Sequence, residues 1–530
     1  MRCCFLLLVV VFGYPLFAHE TGEHGDHTHG EKTKTARGVV FEDKNGDQKR
    51  DEMEPGIAGI RVSNGSQIVT TDQQGRYELP VDDDEIIFVI KPRNWMTHVG
   101  SDQLPRFYYI HKPAGSPANF RFPGVDPTGP LPESIDFPLY RHEEPDTFKA
   151  ILFGDPQPRN ITEVEYIAHD VVEQIIAADA HGASFGVTLG DIVFDDLKMM
   201  SPLNQAIALI GIPWYNVIGN HDLNLEAKDD RQSDETFERI YGPSYYSFDY
   251  GPTHFIVLDN VMWFGPDGKQ KGRYQSELGE HQLNFIREDL AAIPENRLVV
   301  LLMHIPLTGM KDRQQLYRLI ENRPATVSLS AHTHNMEHRL IGSEDGWQGA
   351  KRHHHIVNVT VCGSWWRGKK DERGIPHATM SDGGPNGYSI MTFDGNRYRL
   401  ELRAASRPAD YQMNIYAPEM VKRDELGATV VKVNVFIGSE TSKVMMRVGK
   451  GEWAPMERVS SQDPAYLAEK SREEKLTQRD WSDLPAAHKT PHIWRGMMPS
   501  DLPPGSHQIE VRARHADGVS NLSRRIIRVE

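Results

Sequence analysis

Apolar positions along the chain change rhythm twice. From Arg37 to about Glu144 they come as short alternating runs, "RGVVFED", "IRVSNG", "QIVTTD", "GRYELP" and "EIIFVIK", separated by Asn-Gly, Gln-Gly and Asp-rich turns. Period-two alternation at that spacing predicts a small β-sandwich over residues 37–145. From Thr147 to about Arg403, apolar runs alternate with amphipathic stretches such as "TEVEYIAHDVVEQIIAADA" and "GEHQLNFIREDLAAI". Strand–helix alternation predicts an α/β core with a buried sheet over residues 146–405. Beyond "SRPADYQ", β runs return as "VVKVNVFI", "SKVMMRV" and "GSHQIEVRARHADG", broken by the charged helical stretch "PAYLAEKSREEKL". They predict a second β-sandwich-like domain over residues 406–530. No internal repeat period stands out.

Ahead of these lies "MRCCFLLLVVVFGYPLFA", with a basic start at Arg2, an apolar stretch and a small residue at Ala18. Residues 1–18 read as a secretory signal, too short for a comfortable membrane span. Residues 19–36 read as a His-rich flexible leader carrying His19, His24, His27 and His29, for which loose metal capture is the sharper alternative. No later run reaches about 18 apolar residues, so no membrane span is expected. Once Cys3 and Cys4 leave with the signal, Cys362 stands alone and no internal disulfide is available. A periplasmic or secreted bacterial setting follows. The 530 residues suggest several cores, and 39% hydrophobic with 25% charged residues fits a globular chain. A formal net charge of −15 argues against a stable nucleic-acid partner. The oligomeric state is not legible.

The chemistry sits where the apolar runs stop. "TFKAILFGDPQ" ends at Asp155 and Gln157, "ASFGVTLGD" at Asp191, and "IPWYNVIGNHD" at Asn220, His221 and Asp222. "THFIVLDN" ends at Asp259 and Asn260, "NRLVVLLMHIP" at His304, and "ATVSLSAHTH" at His332 and His334. Ligands of an open α/β sheet gather beyond the carboxyl ends of its strands, so such endings concentrate at one edge. A second cluster lies in the first β region. Asp43, Asn45, Asp47, Asp51 and Glu54 occupy positions 1, 3, 5, 9 and 12 of one loop. That stagger of oxygens can wrap a calcium ion, or it is a plain acidic turn. The stretch "GVVFEDKNGDQKRDEMEPGIAGIRV" resembles calcium-loaded loops of bacterial surface β-sandwich repeats.

The five motifs "GDPQ", "GDIVFDD", "GNHD", "MHIP" and "AHTH" resemble those of the calcineurin-like metallophosphoesterases, which run D-x-H, G-D, G-N-H-D/E, a lone H and G-H-x-H. The flanks resemble bacterial three-domain members. The resemblance implies a four-layer α/β/β/α sandwich flanked by two smaller β-sandwich-like domains. It implies two divalent transition metals (Mn, Fe or Zn), one held by Asp155, Gln157, Asp191 and His334. The other would be held by Asp191, Asn220, His304 and His332, with Asp191 bridging. Two such cations about 3.5–4 Å apart clamp the attacking and leaving oxygens of a phosphoryl displacement, and a bridging hydroxide acidified by both is the nucleophile. By the same resemblance His221 faces the substrate as general acid or leaving-group stabiliser, and Asp222 orients its ring. Asp195 is expected to support the site from behind. Gln157 stands where many members have histidine, which favours manganese or iron or looser binding.

Two long segments could form the rim: "DNVMWFGPDGKQKGRYQSELG", with Arg273 and Tyr274, and "CGSWWRGKKDERGIPHATMSDGGPNGY", with Trp365, Trp366, Asp382 and Asn386. These residues are the candidate substrate contacts. The triplet His353, His354 and His355 reads as an exposed turn entering a strand. The expected activity is hydrolysis of a small phosphate mono- or diester. A nuclease or nucleotidase, and a non-catalytic surface-binding protein, are the alternatives.

Overall fold

The computed structural model describes residues 34–268 and 270–530, so the predicted signal and most of the predicted leader lie outside the described residues. The first strand, Lys34–Glu42, begins inside the stretch read as leader, because Ala36 pairs with Leu79 and is buried. Two four-stranded sheets follow within residues 34–141. In Arg76–Val81 exposed and buried residues alternate strictly, as one wet and one packed face require.

Among the described residues the two main sheets of the central unit hold eleven strands. In chain order they are β1 (Thr147–Phe153), β2 (Phe185–Leu189), β3 (Trp214–Val217), β4 (Tyr246–Tyr250), β5 (Thr253–Val257), β6 (Val299–Leu302), β7 (Thr326–Ser330), β8 (Glu337–Ile341), β9 (His353–Val357), β10 (Gly387–Asp394) and β11 (Arg397–Ala404). The five-stranded sheet runs β3-β2-β1-β10-β11, with β1, β2 and β3 parallel. The six-stranded sheet runs β4-β5-β6-β7-β9-β8, with β5, β6, β7 and β9 parallel.

Period-two alternation sorts β1. Phe148, Ala150 and Leu152 join the core between the sheets, whereas Ile151 and Phe153 join the cluster under the helices. Between the sheets aromatic rings interlock, Phe185 on Phe255 at 5.4 Å and Tyr215 stacked on Phe248 at 4.1 Å. Outside the five-stranded sheet, the helical turns Ile161–Ile167, Ala168–Val172 and Glu173–Ala177 bury Val164, Ile167, Val171 and Ile175. Asn160 caps their start by accepting from the Glu163 amide. Helices Gly279–Ala291 and Arg313–Ile320 bury Leu283, Ile286, Leu316 and Ile320 in the core that includes the six-stranded sheet. The order is helix, sheet, sheet, helix.

A four-stranded and a five-stranded sheet make up the C-terminal unit, which has its own apolar cluster and the predicted charged helix, Pro464–Glu474. Among the described residues no helix is long and apolar enough to cross a membrane. The triplet His353–His355 corrects the sequence reading. It lies in β9, with His353 and His355 fully buried, because Ser328 of β7 bonds to both rings at 2.8 Å and satisfies them.

Candidate metal centre

Parallel strands of both sheets deliver their carboxyl ends to one edge. Asp155 follows β1, Asp191 follows β2, Asn220 follows β3, His304 follows β6, and His332 and His334 follow β7. Asp191, His304 and His332 each place a ligand atom within 4.8 Å of the others. His304 donates from Nδ1 to the Leu189 carbonyl at 2.9 Å, which aims Nε2 into the cluster. That nitrogen meets Asn220 Oδ1 at 3.1 Å, His332 Nδ1 at 3.1 Å and Asp191 Oδ1 at 3.2 Å. Four atoms able to act as acceptors thus converge on one point, as the donor set of a cation does. Beside them, His334 Nε2 lies 3.8 Å from Asp155 Oδ1, a buried oxygen with no hydrogen-bond partner among the described residues. These side chains fit a metal centre.

Two motif glycines make the convergence possible. A Cβ on Gly190 would lie 2.5 Å from His304 Nδ1, and one on Gly219 would lie 2.0 Å from the Asp191 amide. Backbone strain concentrates here as well. Asp155, Gln157, Asp191, Asp195, His332 and His334 all have φ between 36° and 69°. Non-glycine residues in this region cost on the order of 1–3 kcal/mol each and persist where the surroundings over-determine them. The turn of His332 is fixed by its amide, which donates to Asp155 Oδ2 at 2.9 Å.

Burial and mutual charge set the protonation of the cluster. Burial pushes Asp155 up to about 8, helped by the neighbouring Asp191 charge. Asp191 is also buried, yet His304 and His221 hold it below the usual carboxylate range. Burial alone would lower His304, but Asp191 raises it to about 9. His332 and His334 are pushed down, chiefly by burial, to about 3 and about 4. They are neutral donors at neutral pH.

Several expectations require correction. Asp222 does not orient the His221 ring. Its carboxylate accepts from the amides of Ile192, Val193 and Gly219, and so braces the two motif loops. Burial, then the Asp191 charge, raises it to about 7 against those three N–H groups. The ring partner is Asp195, whose Oδ1 lies 2.7 Å from His221 Nδ1, while Phe194 stacks on the imidazole at 4.3 Å. Burial lowers the His221 pKa, but the Asp195 hydrogen bond and the Asp191 charge raise it overall. Gln157 presents its amide nitrogen to Asp191 Oδ2 at 2.9 Å and leaves its oxygen to the Cys362 thiol, because a carboxylate is the strongest acceptor in reach. In this orientation it fixes the central aspartate.

The rim candidates divide. Trp365 stacks on His334 at 4.0 Å, and Tyr274 sets its edge to His332 at 6.1 Å. Arg273 is exposed on the hairpin of Met262–Phe264 and Arg273–Gln275, its guanidinium 4.5 Å from the Phe264 ring. Trp366 is buried against Tyr166, which anchors the loop. Asp382 and Asn386 are buried too. Asp382 accepts from the Met336 and Gly384 amides, and Asn386 donates to Asp170 and to the Val361 carbonyl. Both are committed to loop structure. Of the fifth strand end, Asp259 stays outside the cluster, and Asn260 clamps Ile305 beside His304 through both its amide and its carbonyl. Sequence reasoning missed that clamp, for which a polar pair after an apolar run was the available signal.

The acidic loop is a hydrogen-bonded turn. Asp43 accepts from the Gly46 and Gln48 amides and pairs with His98 at 2.7 Å. Asn45, Asp47 and Asp51 accept from the amides of Asp47, Lys49 and Met53. Glu54 accepts from those of Lys44 and Asp51. Among the described residues the loop's carboxylates form no metal-spaced group of three.

A comparison with curated proteins finds no match. Among solved structures, a dimetal phosphatase from Danio rerio aligns at 12% identity over 48% of this chain and 96% of that one, with a TM-score of 0.34. A purple acid phosphatase from yellow lupin (Lupinus luteus) seeds aligns at 12% identity over 70% and 67%, with a TM-score of 0.35. Three family models match the chain itself: the N-terminal part of calcineurin-like phosphoesterase at residues 43–125, calcineurin-like phosphoesterase at 148–336, and its C-terminal part at 355–519. With its converging strand ends and all three segments matched in order, this chain belongs to the calcineurin-like phosphoesterase family.

Proposed function

We propose that this protein is an exported phosphoesterase that hydrolyses small phosphate mono- or diesters with two divalent transition metals. The observation that carries the reading is the convergence of Asp191, His304 and His332 within 4.8 Å, beside a buried, unpartnered Asp155 oxygen. One ion would be held by Asp155, Asp191 and His334, and the other by Asp191, Asn220, His304 and His332. Bound there, the ions supply Lewis acidity that polarises phosphorus and lowers the pKa of the attacking water.

The chain's own residues do the rest. Gln157 and the His221 amide fix the two oxygens of Asp191 from opposite sides. His221 is held as a proton donor by Asp195 at Nδ1 and by the Phe194 ring, which leaves Nε2 to protonate the departing oxygen. Trp365 and Tyr274 supply apolar walls beside His334 and His332, suited to the organic part of an ester. The signal-like residues 1–18 support a periplasmic or secreted location.

Turnover of p-nitrophenyl phosphate and of its diester, measured with added manganese, iron or zinc, tests this reading. Asp191→Ala is expected to abolish activity, and His221→Ala to lower kcat by about 10²–10⁴-fold. Wild-type protein inert towards both esters with all three metals would sink the proposal.

A further inference from the structure

The rim loop that cradles His334 does not end at the metal centre. His334 donates from Nδ1 to the Gly363 carbonyl at 2.6 Å, at the start of the loop. Two residues beyond His334, the Met336 amide donates to Asp382 Oδ2 at 2.9 Å, near the loop's apex. The strained His332–His334 turn is therefore pinned through this one loop at a ring nitrogen and at its exit.

Asp382 is in turn gripped by the C-terminal unit. Asn434, on the strand Val430–Val435, donates from Nδ2 to the Asp382 carbonyl at 2.9 Å and to Asp463 at 2.8 Å. Both contacts are acceptors, so the Asn434 amide has one orientation and its Oδ1 must face His492 Nδ1, at 2.6 Å. The other ring nitrogen of His492 lies 3.1 Å from Asp382 Oδ2. Each nitrogen of this buried imidazole thus meets an oxygen, one on Asn434 and one on Asp382. Gly383 fits the apex because a Cβ there, at φ 83°, would lie 2.4 Å from the Asp463 carboxyl carbon.

We propose that His492 and Asn434 are positioning residues for the metal centre, acting through Asp382 and the Met336 amide on the turn that presents His334. The C-terminal unit would then tune metal retention from a domain that supplies no ligand. The proposal rests on the metal-centre reading above. Outer partners of metal ligands typically govern affinity by about 10–100-fold, and here the partner lies on another domain.

The test uses the full chain, with Arg447→Ala as control. Arg447 lies in the other sheet of the C-terminal unit, where it pairs with Glu510. Protein loaded with manganese is titrated with a chelator, manganese per chain is determined by elemental analysis, and amide hydrogen exchange is followed over residues 331–336. His492→Ala is expected to weaken retention of one of two ions about tenfold and to speed exchange at Met336, with Arg447→Ala matching wild type in both. His492→Gln keeps one donor for Asp382 and most of the volume, and is expected to restore part of each effect. Retention and Met336 exchange in His492→Ala equal to wild type would overturn the proposal. If His492→Ala does not fold, His492→Gln takes its place with a smaller shift in the same direction, and no shift overturns it. Failure of the metal-centre reading looks different: wild type itself then binds no stoichiometric manganese, while exchange at Met336 still tests the positioning contact.

Discussion

The two flanking units are joined to the central one by different physics. The N-terminal unit shares its apolar core: Phe88 packs on Phe285 at 5.8 Å and Phe107 on Tyr246 at 5.0 Å, within one cluster that continues between the central sheets. Buried ions rivet the same seam. Lys91 pairs with Glu144 and donates to the Asp249 carbonyl at 2.7 Å, Lys112 pairs with Glu235, and Arg61 pairs with Asp289. The C-terminal unit keeps its own core and, among its fully buried described residues, lends only Phe436 and Ile437 to the central one. Its grip is polar and falls on the rim loop, through Asp382, His492 and Asn434, and through His377 and Glu473 at 2.9 Å. One seam holds the molecule together. The other sets the shape of the site.

If that contrast is right, the N-terminal seam should dominate stability. Lys91→Ala leaves Glu144 buried without its partner and is expected to cost about 3–5 kcal/mol, read from chemical denaturation. Turnover per folded molecule should be unchanged, and a large loss of kcat in the folded fraction would blur the distinction between the seams.

Two sets of histidines should also differ in the sign of their pH response. His254 lies between Asp249 and Asp289, at 2.8 Å from each. Burial lowers its pKa, but the Asp289 charge and hydrogen bonds to both carboxylates raise it overall. Its stabilisation is therefore complete below the unfolded value of about 6.5 and fades as pH rises through the folded value. His338 and His354, 3.0 Å apart on β8 and β9, behave oppositely. Burial pushes His354 down to about 4, and burial with neighbouring histidines holds His338 well below the usual imidazole range. Their stabilisation is complete above about 6.5 and is lost as pH falls towards about 4. Denaturation midpoints across pH 4–9 should show His254→Asn flattening the alkaline limb and His354→Asn the acid limb. Flattening of the same limb by both would refute the assignment.

The smallest effect should come from Lys370→Ala. Its pair with Asp480 bridges the rim loop and the C-terminal unit at 3.0 Å, but both ends are solvated. Exposed pairs contribute little, so the denaturation midpoint and manganese retention should match wild type. A clear loss of retention would show that surface charge, rather than the buried Asp382 contact, carries the coupling.

Much of this was legible along the chain, for a physical reason. Hydrophobic period and strand-end residue types are local properties. "GVVFE" and "RYELPV" announced a sandwich, and "FGDPQ", "TLGD", "GNHD", "MHIP" and "AHTH" announced a shared edge, before any contact was known. What a side chain bonds to is not local. Asp222 and Asp195 are both carboxylates near His221. Only the crossing of the loops after β2 and β3 gives the imidazole to Asp195 and three backbone amides to Asp222. Asp382 looked like a rim ligand because the strand pair that buries it arrives far later in the chain. His353 and His355 looked exposed because the serines that satisfy them belong to β7. The chain's own order therefore determined the elements and the edge where they would meet. Tertiary structure decided which polar groups face the reaction and which are spent holding it in place, because a buried polar group is assigned by its partner, and the partners come from distant strands.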